Sequence, residues 1–111
     1  MKSKTALDGH GWLGVDLDGT LAVQQDPFDG SIGPPIPAMV RMVRKAIMSG
    51  RDVRVFTARA SVSYWERRKV RAWLRRHLGY ELPVTCVKDM MCEEIWDDRA
   101  RQVVFNEGRF A

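Results

Sequence analysis

The run Trp12-Leu13-Gly14-Val15-Asp16-Leu17-Asp18-Gly19-Thr20-Leu21 constrains this chain more than any other stretch. A short apolar segment ends in two carboxylates one residue apart, and a glycine and a threonine follow at once. An apolar run of this length, bounded by turn residues, reads as a buried parallel strand. Ligands of open parallel sheets bind at the carboxyl ends of the strands, which is where Asp16 and Asp18 would lie. Residues i and i+2 of an extended chain point to the same side, so both carboxylates can approach one ligand. Gly19 lets the chain turn away sharply. An isolated Asp-x-Asp is usually only a turn after a strand; the full string is far more specific.

The remainder alternates strand and helix. Leu21–Pro35 carries Asp26-Pro27, Asp29-Gly30 and Gly33-Pro34-Pro35, so an irregular loop or short hairpin is expected beside the two aspartates. Ile36–Ser49 turns helical, with Pro37 in its first turn and Met39, Val40, Val43, Ala46 and Ile47 on one face. Met39, Met42 and Met48 read as core filler. Asp52–Phe56 is a second strand. Ser61–His77 is a second helix, with Val62, Trp65, Val70, Trp73 and Leu74 on its buried side. Leu82–Val87 is a third strand, Glu94–Trp96 a short fourth, and Val103–Phe105 a candidate fifth. This alternation predicts an α/β fold: a Rossmann-like three-layer sandwich around a mostly parallel sheet. At 111 residues the chain forms one domain, 1–111, with no linker or repeat.

Residues 1–10 hold two lysines but no apolar core, so no signal peptide is expected, and no apolar stretch reaches membrane-spanning length. Cys86 and Cys92 fit neither a disulfide framework nor a zinc spacing and read as reduced thiols in or near the core. A cytoplasmic protein is the expectation. The net charge of +4 favours acidic partners without identifying them.

Four polar signals fall just beyond the ends of four candidate strands: Asp16 with Asp18, Thr57, Lys88, and Asp97 with Asp98. In order and spacing they resemble the four motifs of the haloacid dehalogenase (HAD) superfamily, across nearly the whole chain. The first is Asp-x-Asp-Gly-Thr and the last is Ile95-Trp96-Asp97-Asp98-Arg99. The resemblance implies a phosphomonoester hydrolase. Asp16 is then the nucleophile that forms an aspartyl-phosphate, and Asp18 the acid that protonates the leaving oxygen and later activates water. Thr57 would hydrogen-bond a phosphoryl oxygen. Lys88 would neutralise nucleophile and phosphate. The implied cofactor is Mg2+, held by the Asp16 carboxylate, the Asp18 backbone carbonyl and Asp98. Asp97 would support the metal or orient Lys88. Carboxylates, a carbonyl and water suit that hard cation. Arg59 would reach substrate or pair with an acid.

The last motif also looks like that of 5′(3′)-deoxyribonucleotidases and polynucleotide 3′-phosphatases. The whole chain looks closest to small capless HAD-like proteins of bacteria and their phages. Larger HAD enzymes insert a cap after the first motif or between the third and fourth. Here those gaps are only Leu21–Pro35 and Asp89–Glu93. A capless site admits a bulky substrate, such as a nucleic-acid end or phosphoprotein, or borrows a lid from a second subunit of a homo-oligomer.

From Arg59 to Arg76 there are seven Lys/Arg and one acid, Glu66, with Tyr64, Trp65 and Trp73 interleaved. Two accounts compete: a phosphate-backbone track with stacking partners, or a solvated helix face with core tryptophans. The spacing of Trp65 and Trp73 favours the second. The expected function is Mg2+-dependent hydrolysis of a phosphomonoester, with a nucleotide or a nucleic-acid terminal phosphate as the best substrate. The alternatives are a phosphotransferase, or a nucleic-acid- or partner-binding module that keeps the fold.

Overall fold

The computed structural model of the chain describes residues 10–111; the polar lead-in expected at the N-terminus falls almost wholly outside them. Four strands form one sheet in the order β3-β2-β1-β4, with every pairing parallel. They are β1 (Trp12–Val15), β2 (Asp52–Phe56), β3 (Val84–Thr85) and β4 (Cys92–Trp96). Helix α1 (Pro37–Met48) connects β1 to β2; a 3₁₀ turn (Ala58–Ser61) and helix α2 (Tyr64–His77) connect β2 to β3.

Side-chain alternation assigns the two faces of the sheet. Leu13 lies opposite Val53 and Val15 opposite Val55, and all four join the buried core with Val40 and Val43 of α1 and Val70, Trp73 and Leu74 of α2. Both helices therefore cover one face. Strands added successively in one direction place their connections on one side when the crossovers share a hand. Arg44 of α1 ties the two helices together, donating to the carbonyls of Leu78 and His77 at 3.0 and 3.3 Å. Each fully buried Leu or Val here stabilises the fold by about 1.5–3 kcal/mol.

The opposite face is covered differently. From β3 the chain returns across the sheet to β4, and residues 86–91 are too few for a helix. This extended crossover is the thin third layer. Trp12 donates its indole N–H to Asp89 on the crossover at 2.8 Å, and its backbone N–H to the Met91 carbonyl at 2.8 Å. The Arg54 guanidinium lies over the Trp12 ring, 5.0 Å from its centroid. Gly14 makes room for that ring: a Cβ there would fall 2.9 Å from Trp12 Cζ3.

Several expected boundaries shift. β3 is confined to Val84–Thr85 because the chain leaves for the crossover directly afterwards. Val103–Phe105 forms no fifth strand; Val103 makes a single antiparallel bridge to Phe110 as the tail folds back on itself. Met42 and Met48 are exposed rather than core filler. Val62 and Trp65 are also exposed, at 71% and 69%, against the expectation of burial. The 3₁₀ turn breaks the helical phase before α2 begins, and Ser63 caps α2 by accepting from the Glu66 N–H at 3.0 Å. Both cysteines are free, but only Cys92 is partly buried; Cys86 is exposed. Neither connection expected to lack a cap carries an inserted domain. Among the described residues no helix is long and apolar enough to cross a membrane.

Candidate active site

The first motif leaves β1 at Val15. Asp16 still belongs to the sheet, its N–H donating to the Trp96 carbonyl at 2.9 Å. The chain then tightens: the N–H groups of Thr20, Leu21 and Ala22 all point to the Leu17 carbonyl. Leu17, Leu21 and Ala22 are fully buried beneath the turn. Gly19 has φ +87°, and a Cβ there would fall 2.8 Å from Asp98 Oδ2. Glycine thus serves the turn and also clears space for the acid of the fourth motif.

Asp97 and Asp98 follow the end of β4, beside the end of β1. Each of Asp16, Asp97 and Asp98 offers a carboxylate oxygen, and these three lie within 4.8 Å of one another. Asp98 accepts from the Thr20 hydroxyl at 2.9 Å. Asp97 accepts from the Arg99 N–H at 2.6 Å. Burial, the hydrogen bond with Asp98 and the charge of Asp97 push Asp16 up from the usual 3.8 to about 7. Asp98 is held below the ordinary range, first by the Thr20 hydroxyl and also by its hydrogen bond with Asp16. Below about pH 7, without a cation, this favours a protonated Asp16 whose proton lies in its hydrogen bond with Asp98. Three hard oxygen donors this close suit a divalent cation such as Mg2+ or Ca2+.

Asp18 is not one of the three clustered acids. Its carboxylate accepts two bonds from Arg59, at 2.7 Å from Nε and 3.0 Å from Nη2. Arg59, only 7% exposed, also donates to the Gly30 and Ser31 carbonyls at 2.9 and 3.0 Å, and to Glu66 at 2.5 Å. One guanidinium thus joins the first motif, the 21–35 loop and α2. Its bonds to Asp18 raise its own already high pKa further. Thr57 is buried where expected, at the end of β2. Its hydroxyl oxygen accepts from the Arg59 N–H at 3.2 Å and caps the 3₁₀ turn.

Lys88 was expected to neutralise the nucleophile and the phosphate. It is exposed on the crossover and does not line the pocket. Burial pushes the Cys92 thiol up, and the Lys88 ammonium pulls it part of the way back. Cys92 pairs with Trp12 at the far end of β1 from Asp16.

A pocket of about 540 Å³ opens over this edge, and Asp16, Asp18, Thr57 and Asp97 all line it. Two arginines, Arg59 and Arg99, also line it, and Phe28 and Val62 add apolar wall. Arg99 directly follows the acid pair, which was the only signal for it in the sequence. Phe28 sits in the irregular loop, where periodicity gives no guidance. No family model, curated protein sequence or solved structure matches the chain.

The shared proton predicts a pH effect. The folded state holds the Asp16 proton more tightly than the unfolded chain, so stability from this group is full below about pH 4 and lost as pH rises through about 7. The shift corresponds to about 4 kcal/mol if fully transmitted; solvent at the half-open carboxyl reduces this to about 2 kcal/mol. In EDTA, the melting temperature of the parent should fall relative to Asp16→Asn between about pH 5.5 and pH 8, by roughly 4–8 °C for each kcal/mol. A divalent cation that occupies the cluster should remove the difference. Parallel curves in EDTA would refute the proton-sharing cluster.

Proposed function

We propose that the protein is a Mg2+-dependent phosphomonoester hydrolase of the HAD type, acting through an aspartyl-phosphate on Asp16. The observation that carries this reading is the convergence of Asp16, Asp97 and Asp98 within 4.8 Å at the mouth of a pocket also lined by Asp18 and Thr57. Asp16, Asp97 and Asp98 would hold the metal, with the Asp18 carbonyl beside them. When bound, the ion supplies positive charge that offsets the clustered acids and the phosphate.

The chain's own residues carry the reaction. An Asp16 oxygen attacks phosphorus; the Asp16 O–P bond forms as the bond to the leaving oxygen breaks. Asp18 gives its proton to that oxygen. Water then attacks the phosphorus, Asp18 takes the proton, and Asp16 departs as carboxylate, so the proton count closes over the cycle. Arg59 fixes the angle of Asp18 and must give up part of that pairing while Asp18 carries a proton, because a protonated carboxyl oxygen is a donor and cannot also face a guanidinium N–H. The buried Thr57 hydroxyl and the Arg99 guanidinium face the phosphoryl oxygens. With no inserted cap, water is excluded by the 21–35 loop alone. The substrate we favour is a nucleotide or a nucleic-acid terminal phosphate, and the free thiols suit the cytoplasm.

The test is a phosphatase screen across p-nitrophenyl phosphate, nucleotides, sugar phosphates, phosphopeptides and 3′- or 5′-phosphorylated oligonucleotides. Phosphate release that needs Mg2+ and stops in EDTA is expected for at least one substrate. No release from any of them, or equal release in EDTA, would overturn the reading.

A further inference from the structure

Trp65 is the observation that changes the account of the basic helix. A core tryptophan would have made the surrounding arginines a solvated face. Instead Trp65 is 69% exposed and stands beside Tyr64, itself 53% exposed, with ring centroids 5.2 Å apart. The Arg68 guanidinium lies 5.9 Å from the Trp65 ring centroid. An indole this open, braced from two sides, presents a flat apolar surface that the fold does not use.

The charges beyond it divide into engaged and free. Lys69 donates to the Gly30 carbonyl and pairs with Glu66. Arg67 donates to the Ala60 carbonyl. Arg75 pairs with Glu81. Among the described residues, Arg68, Arg71 and Arg76 have no acidic partner within ion-pair distance. Trp65, Arg68 and Arg71 follow one another at three-residue steps, each a rise of about 4.5 Å, and Arg76 lies five residues and about 7.5 Å further on, so the long side chains of these cations continue down the helix from Trp65. The track starts at the pocket: Val62 lines it, and α2 begins two residues later.

We propose that this face binds single-stranded nucleic acid, with a base stacked on Trp65, the backbone along Arg68, Arg71 and Arg76, and the strand end directed into the pocket. Aromatic stacking beside a line of unpaired cations is the combination that holds a single strand without reading its sequence. An acidic peptide would answer the charge but has no use for the exposed indole. In placing a phosphorylated end in the pocket the inference rests on the phosphatase reading; the binding face itself does not.

The experiment measures fluorescence anisotropy of a labelled oligothymidylate of roughly 12 nucleotides with the full chain in EDTA, over a salt series. Trp65→Ala should weaken binding roughly 5- to 150-fold. The triple variant Arg68→Gln, Arg71→Gln, Arg76→Gln should flatten the log–log salt slope by about 2, at about 0.7 per lost contact. Both changes lie on exposed or part-exposed positions, and melting curves of each variant confirm that it is folded. Unlabelled poly-glutamate competes in a parallel series. The inference is overturned if the parent does not bind, if Trp65→Ala binds within about twofold of the parent, or if poly-glutamate displaces the strand at equal charge concentration. The parent is also assayed on p-nitrophenyl phosphate in Mg2+. Turnover without strand binding sinks this inference and leaves the phosphatase; strand binding without turnover of any phosphomonoester does the reverse.

Discussion

Asp16→Asn is expected to lower phosphomonoester turnover by at least about 10³-fold, the scale seen when a covalent nucleophile is removed, with no loss of stability in EDTA. The second half of that result gives the first its meaning. Asp16 lies beside Asp97 and Asp98, and its raised pKa shows that the folded protein resists ionising it. An amide keeps the shape, removes the charge and still donates to Asp98. A variant that is inactive yet at least as stable as the parent at about pH 8 marks a residue kept for chemistry at the expense of the fold. An inactive variant that also melts early would make the cluster structural. Full activity in Asp16→Asn would end the covalent mechanism. In the parent, beryllofluoride with Mg2+ should form an acyl-phosphate mimic on Asp16, which reads the same carboxylate without mutation.

The parts of this fold legible in the sequence were those fixed by local pattern. Leu13 and Val15 alternate with Trp12 and Gly14, and the motif that follows placed Asp16 at the strand end. Val40 and Val43 recur at helical spacing and are buried as that spacing requires. What the pattern could not supply was the path between elements. A helix expected to run from Ser61 buried Val62 and Trp65 on paper, but the 3₁₀ turn extends through Ser61 and Ser63 starts the helix anew. Trp65 precedes Trp73 by eight residues, about 80° off its direction at 100° per residue. The two tryptophans can therefore part, and Trp73 alone turns inward, to donate to the Gly33 carbonyl at 2.9 Å.

Lys88 does not line the pocket, for a related reason. Its position followed from a strand running to Val87, whereas β3 ends at Thr85 and the next residues leave the sheet edge. The pairing of Asp18 with Arg59 was open in the sequence because it spans 41 residues. Only the packed turn after Thr57 brings the guanidinium to the first motif. The acid cluster itself was legible, since parallel neighbours β1 and β4 bring their following residues to the same edge.

Arg59→Ala should be the most damaging single change to the fold around the site, costing about 3 kcal/mol and lowering the melting temperature by roughly 10–20 °C. Removing one member of a buried ion pair leaves the partner charge desolvated and unpaired, which typically costs about 3–5 kcal/mol. The lower end applies because the Asp18 and Glu66 side chains remain 20% and 21% exposed. The loss extends beyond charge. The Ser31 carbonyl loses its donor, the Gly30 carbonyl keeps only Lys69, and Phe28, whose ring centroid lies 5.4 Å from the guanidinium carbon, loses its support. The 21–35 loop is then held mainly through Trp73, Lys69 and the backbone bonds of Val23 and Ile36. Arg59→Lys should recover only part of the stability, because one ammonium cannot span Asp18, Glu66 and two carbonyls. Proteolysis should separate this from a general loss of structure: cleavage within 21–35 should quicken in Arg59→Ala at temperatures where far-ultraviolet circular dichroism still reports a folded protein. If Arg59→Ala melts within about 2 °C of the parent and its loop resists protease equally, the guanidinium does not hold the loop. The fixed angle of Asp18 would then need another cause.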